Sequence, residues 1–260
     1  MSSSEWEDVL AEAREGKGDI DSTEPGVHNS RGMAAMENKK FDKAMLEFQK
    51  AIKMDDKTAF CHFNLGLCYE SLERYDEALK EFEKTAELDK NLTAAALKVD
   101  AMHQFKTLQL NVNNIGAWLR LGMAQREFGQ YDAAIYSFEQ AMRLQPQAPN
   151  TYLHLGMCYH NKGWYDKALE MYNKALELDT KNADIYSNFG VTYFDLAQFD
   201  EAINSLKRAI EINPNQPIYH FNIGNCYNAK DMKEDAKKEY QRALELNPDL
   251  AMAKEALAAL

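Results

Sequence analysis

The residues best suited to chemistry are His154, Cys158 and His160. A helix would set His154 and Cys158 one turn apart, within reach of a common metal ion. Packing explains the cysteine better. Cys158 sits two residues after Gly156, a place that Cys68 and Cys226 hold after Gly66 and Gly224, and that Ala124 and Thr192 hold after Gly122 and Gly190. A slot shared by cysteine, alanine and threonine asks for a small buried residue, and His160 falls on a different face of the same helix. No metal and no cofactor are therefore expected. The chain also lacks a C-x-x-C pair, an H-E-x-x-H pair, a phosphate-cradling glycine loop and a serine in a nucleophile setting. The expectation is a protein that is not an enzyme.

The elements that would carry these residues repeat. Trp118, Leu121, Gly122, Ala134, Phe138, Ala141 and Pro146 form the clearest copy of a register that returns every 34 residues. Around it stand Gly66, Tyr69, Ala78 and Phe82; Gly156, Tyr159, Ala168, Tyr172 and Ala175; Gly190, Tyr193, Ala202, Ala209 and Pro214; and Gly224, Tyr227, Ala236, Tyr240, Ala243 and Pro248. That period and those residue types resemble the tetratricopeptide repeat (TPR) family. The resemblance implies an all-α fold, a right-handed α-solenoid of stacked antiparallel helix pairs, the TPR superhelix.

With the glycine in eighth place, the repeats run 25–58, 59–92, 115–148, 149–182, 183–216 and 217–250. The first is degenerate in its opening helix, where His28 and Arg31 replace large apolar residues. Each second helix begins with an acid (Asp42, Asp76, Asp132, Asp166, Asp200, Glu234), which suits the positive helix end and can satisfy free backbone N–H groups. Pro146, Pro214 and Pro248 stop that helix. Residues 93–114 break the period: Thr93–Leu110 reads as one helix, a spacer or a repeat that has lost its turn, and the superhelix is expected to change pitch there. Residues 251–260 read as the start of a capping helix, apolar enough to pack on something else.

The formal net charge is -11, which disfavours nucleic acid and anionic membranes as partners. Residues 1–24 hold eight acids against Arg14 and Lys17. Within them Trp6, Val9, Leu10 and Ala13 share one face of an amphipathic helix, and this acidic segment either covers the first repeat or docks in the groove as a displaceable lid. There is no run long enough for a membrane span, no secretory leader is recognised, and three of the four cysteines are spaced by whole repeats, so a reducing, cytoplasmic setting is expected.

In the TPR family, the first helix of each pair lines the concave surface, so the resemblance implies a groove. Its sixth position reads Asn64, Arg120, His154, Asn188 and Asn222. An asparagine ladder there is similar to the TPR region of O-linked N-acetylglucosamine transferases, where amides hold the main chain of an extended peptide. An amide offers donors and an acceptor that match peptide groups without reading side chains; asparagine in this slot also bonds along its own helix in ordinary repeats. Phe63, Leu67, Leu119, Met123, Leu153, Met157, Phe194 and Phe221 would form an apolar strip, or pack against the neighbouring repeat. The lysines of a chaperone carboxylate clamp are missing, with Met33 and Gly116 at the relevant places, so that partner is not expected. Trp164, in a turn, is either an edge anchor or packed under Tyr165.

These readings converge on a scaffold that binds an extended or helical protein segment in a concave groove. Two alternatives stay open: an array that self-associates through its terminal repeats, and the substrate-recognition region of a larger enzyme.

Overall fold

A computed structural model describes residues 24–260, which hold fourteen helices and no strand among the described residues. The chain divides into two compact units, one ending at Leu110 and the other starting at Asn111. The amphipathic helix expected within residues 1–24 lies outside the described residues.

In the first unit, α1 (Pro25–Glu37) and α2 (Phe41–Met54) form one hairpin, and α3 (Ala59–Ser71) with α4 (Tyr75–Leu88) a second. α5 (Thr93–Leu110) is a single continuous helix laid on α4. The second unit repeats the hairpin four times: α6 (Ile115–Glu127) with α7 (Tyr131–Leu144), α8 (Pro149–Asn161) with α9 (Tyr165–Leu178), α10 (Ala183–Asp195) with α11 (Phe199–Ile212), and α12 (Pro217–Ala229) with α13 (Lys233–Leu246). α14 (Ala251–Ala258) closes it against α13.

The hairpins form because each second helix has one strongly apolar stripe and each pair has a three-residue turn. The middle residue of that turn is left-handed in all six pairs: Lys39, Glu73, Gly129, Gly163, Ala197 and Asp231. Glycine takes that conformation without strain, yet only two of the six positions use it. Inside each pair the helices touch at a small residue. Gly66 faces Phe82, Gly156 faces Tyr172 and Gly224 faces Tyr240, so closely that a Cβ on Gly156 would overlap the Tyr172 ring. The alanines Ala44, Ala51, Ala78, Ala134, Ala168 and Ala202 are all fully buried in the same seams.

Between neighbouring hairpins of one unit, each second helix packs on the next first helix. Leu155 and Cys158 of α8 join Ala134, Ile135 and Phe138 of α7; Ile223 and Cys226 of α12 join Ala202 and Leu206 of α11. Cys68, Cys158 and Cys226 are fully buried, and all four cysteines are unpaired.

The acids opening the second helices all stand in the first turn, at its positive end. Several also reach across: Asp76 pairs with Lys106, Asp132 with Lys162 and Asp200 with Lys230, each tying one hairpin to the following element. One expectation needs correction: His28 is not a sign of a decayed repeat. It is buried, and its Nδ1 lies 2.7 Å from Glu47 Oε2 on the partner helix.

Candidate functional site

In the first unit, the first-helix face brings together Asn29, Met33, Phe60 and Asn64. The Asn64 amide donates to Asn29 Oδ1 at 2.9 Å, so part of its capacity is used between neighbouring hairpins. Phe63 is half-buried, its ring 5.5 Å from that of Phe82, and Leu67 packs beside the same core. Phe60 and Met33 stand exposed beside a cavity of about 530 Å³ that also takes in Asn29 and Ser30.

In the second unit the corresponding face carries the remaining candidates, which divide into three kinds. Leu153 is only 7% exposed and belongs to the core with Tyr172 and Phe189, so it has no surface to offer a ligand. Leu119, Phe194 and Phe221 are half-buried: Leu119 leans on the Phe138 cluster, Phe194 on Phe199, and Phe221 on the Tyr240 ring at 5.8 Å. Met123 and Arg120 are exposed. Met157 is half-buried and receives Arg126 Nη1 on its sulfur at 2.9 Å, while Arg126 Nη2 lies 2.6 Å from Glu127.

The amides divide as well. Asn188 donates to the Asp184 carbonyl of its own helix at 2.8 Å, along-helix bonding that uses one of its two N–H groups. The Asn222 side chain forms no hydrogen bond among the described residues. It lines a cavity of about 190 Å³ between α10 and α12, together with Gly190, Val191, Phe194, Leu206 and Asn225. Asn225 is held in place by the Tyr240 hydroxyl, which donates to its Oδ1 at 2.8 Å.

His154 occupies the same place in its helix but behaves differently. Its ring stacks on Phe138 with centroids 5.3 Å apart, and its buried Nδ1 has no partner. Burial, reinforced by the Arg126 charge, pushes its pKa down to about 4, so the ring is neutral at physiological pH. Burial likewise pushes the Cys158 thiol up to about 11. His160 turns away, its Nδ1 3.0 Å from Thr192 Oγ1 and its Nε2 3.4 Å from Asp195, so it does not join His154 and Cys158. Among the described residues no group of three or more His, Cys, Asp or Glu side chains is placed to hold a metal ion. Trp164 is partly exposed and stacks on Tyr159, not Tyr165, with the ammonium groups of Lys162 and Lys167 over its ring at 4.3 and 4.6 Å.

One set of polar residues escaped the sequence reading. His62 Nδ1 lies 2.7 Å from Glu81 and His220 Nδ1 2.7 Å from Glu239, matching His28 and Glu47. The signal was present: the three repeats with histidine in fourth place are the three with glutamate nineteen residues later. No described helix is long and apolar enough to cross a membrane.

Comparison with known families matches tetratricopeptide repeat models to residues 25–58, 59–92 and 217–250, and the model of the cytochrome c-type biogenesis protein H TPR domain to residues 101–219. Curated proteins give no match. Solved structures do. The crystal structure of YrrB, described as a TPR protein with an unusual peptide-binding site, is 22% identical with a TM-score of 0.50, covering 82% of this chain and 98% of its own. TTC0263, a thermophilic TPR protein of Thermus thermophilus, is 21% identical with a TM-score of 0.53, covering 78% and 98%. MamA is 22% identical with a TM-score of 0.50, covering 75% and 95%. At these identities the likeness is one of fold.

Proposed function

The chain belongs to the tetratricopeptide repeat family, and from that premise we propose that it is a non-enzymatic scaffold holding an extended or helical protein segment on its first-helix face. The observation that carries the reading is the cavity beside Asn222. A small apolar recess lined by Val191 and Phe194, next to an amide with no internal partner, suits one aliphatic side chain and the peptide group beside it. Asn188 keeps a second N–H and its oxygen for the same main chain. Exposed Met123 and half-buried Met157 extend the strip with side chains that adapt to varied shapes. Asn64 is the weaker candidate, since its amide already links two hairpins. The YrrB precedent supports peptide binding on this fold without naming the ligand. Four buried, unpaired thiols favour a reducing compartment such as the cytoplasm.

Panning a displayed random-peptide library on the full chain tests this. Enriched peptides should share an aliphatic residue and should bind the Asn188→Ala, Asn222→Ala double variant about tenfold more weakly, roughly the net worth of one or two hydrogen bonds. The melting temperature should stay nearly unchanged. An undiminished affinity, or no enrichment at all, would remove the groove from consideration.

A further inference from the structure

The end face of the first hairpin differs from every equivalent face inside the units. In the later repeats the seventh residue of the first helix is large, apolar and buried, as Leu65, Leu155, Phe189 and Ile223 are, because the preceding second helix covers it. In the first repeat that residue is Arg31, exposed, and the neighbouring Ala34 and Ala35 are small. The result is a trough of about 470 Å³ between α1 and α2, floored by the alanines and Met33 and edged by three cations, Arg31, Lys40 and Lys43, against one exposed acid, Glu37; its other acid, Glu47, is buried and already bonded to His28 and Lys50. Those three cations form no ion pair with the described residues. The trough shares Ser30 and Met33 with the 530 Å³ cavity whose edge includes Glu24 and Pro25, the point where the preceding chain arrives.

We propose that this trough is the docking site for residues 4–13 of the same chain, with Trp6 over the alanine floor and the acids beside it facing Arg31, Lys40 and Lys43. Three independent features select this occupant. The segment's apolar face, Trp6, Val9, Leu10 and Ala13, carries one bulky ring for a floor cleared of bulk. Its flanks, Glu5, Glu7, Asp8 and Glu12, oppose the net positive sign of the rim, where a second copy's similar rim would repel it. The tether suffices: the residues between Ala13 and Glu24 can span about 3.3 Å each when extended. Intramolecular attachment raises the effective concentration enough for a modest contact to form. The segment then stands where a preceding second helix would stand, and supplies the cover that a terminal repeat needs.

Hydrogen exchange on the full chain, read by mass spectrometry, tests the assignment against the synthetic peptide 1–23 as the unprotected reference. Amides of residues 6–13 should exchange at least ~10-fold more slowly in the chain than in the peptide. Trp6→Ala should abolish that protection, as should the Arg31→Glu, Lys43→Glu double variant, and adding Glu5→Lys with Glu12→Lys to the latter should restore it. All of these positions are exposed or outside the hairpins, so far-ultraviolet circular dichroism should be unaltered. Exchange at the peptide rate overturns the proposal. So does protection that survives the Arg31 and Lys43 reversal, or protection that grows with protein concentration and so reports a second copy.

Discussion

Repeats 1, 2 and 6 join their two helices through a histidine and a glutamate, whereas repeats 3, 4 and 5 place Trp118, Tyr152 and Tyr186 at the same point, opposite Ser137, Met171 and Ser205. Both arrangements fill one site in one architecture, but they hold it differently. Trp118 is buried, stands edge-on to Tyr136 with centroids 5.8 Å apart, and donates its indole N–H to the Val112 carbonyl at 2.7 Å. His62 makes two polar contacts, to Glu81 at 2.7 Å and to the Asp56 carbonyl at 3.1 Å, and buries far less carbon. An aromatic contributes mainly through area, which is insensitive to pH and salt. A histidine–glutamate bond contributes direction and selectivity, offset by the desolvation of two polar groups. The seam tolerates either arrangement provided its polar atoms are matched.

Truncation tests that contrast most strongly. Trp118→Ala should cost about 3–5 kcal/mol in urea unfolding, the range for removing a large buried aromatic. His62→Ala should cost about 1–3 kcal/mol, because it forfeits hydrogen bonds while Glu81 retains access to water. Equal losses at the two positions would mean that area is not what separates them.

How far the sequence discloses this depends on whether a residue's role is set by the repeat or by its neighbours. The glycine and alanine seams, the proline stops and the Thr93–Leu110 helix follow from period and propensity, which act within one or two turns. The site residues do not. Asn64, Asn188 and Asn222 share one register, yet one bonds a neighbouring hairpin, one its own helix, and one lines a cavity. Their fates differ because the fifth residue of the preceding repeat is Asn29 in one case and Ser187 in another, and a single-repeat pattern does not carry that information. Leu153 and Met123 likewise occupy the strip by position, but only the packed surroundings decide that one is core and the other exposed. The helix-opening acids were legible because they recur at one register, while their cross-hairpin lysines stood some thirty residues away.

His154 sharpens the contrast from the other side, since it is a half-buried histidine whose buried Nδ1 has no hydrogen-bond partner. Its folded pKa is lowered from 6.5 to about 4. Between those values the unfolded chain holds a proton that the folded chain rejects, so stability falls as pH drops through this window and levels off below it. At about 1.4 kcal/mol per unit the loss is roughly 3 kcal/mol. His154→Asn installs the residue that three other repeats use in that place and should flatten the curve between pH 6.5 and 4. Urea titrations at about pH 7, 5.5 and 4 measure it; an unchanged slope in the variant would place the acid sensitivity elsewhere.

The smallest effect should come from Glu47→Gln. Burial alone would raise the Glu47 carboxyl, but hydrogen bonds from Lys50 and His28 outweigh it and leave the pKa below its usual 4.5. A lowered carboxylate contributes stability that is present above the unfolded value and is lost as pH falls through the folded one. Glutamine keeps an oxygen to accept from His28 at 2.7 Å and gives up the charge together with the bond that Glu47 Oε1 accepts from the half-exposed Lys50. At about pH 7 the variant should therefore lose about 1 kcal/mol, within the range for a charge-assisted bond reduced to a neutral one. Below pH 4.5 the two proteins should converge, because the unfolded carboxylate then takes up a proton that the folded one resists, until the folded one is protonated as well. Denaturant midpoints at about pH 7 and about pH 3 give both numbers. A penalty that persists undiminished in acid would show that Glu47 acts through shape alone, and the first hairpin would then join the aromatic repeats in being held by packing.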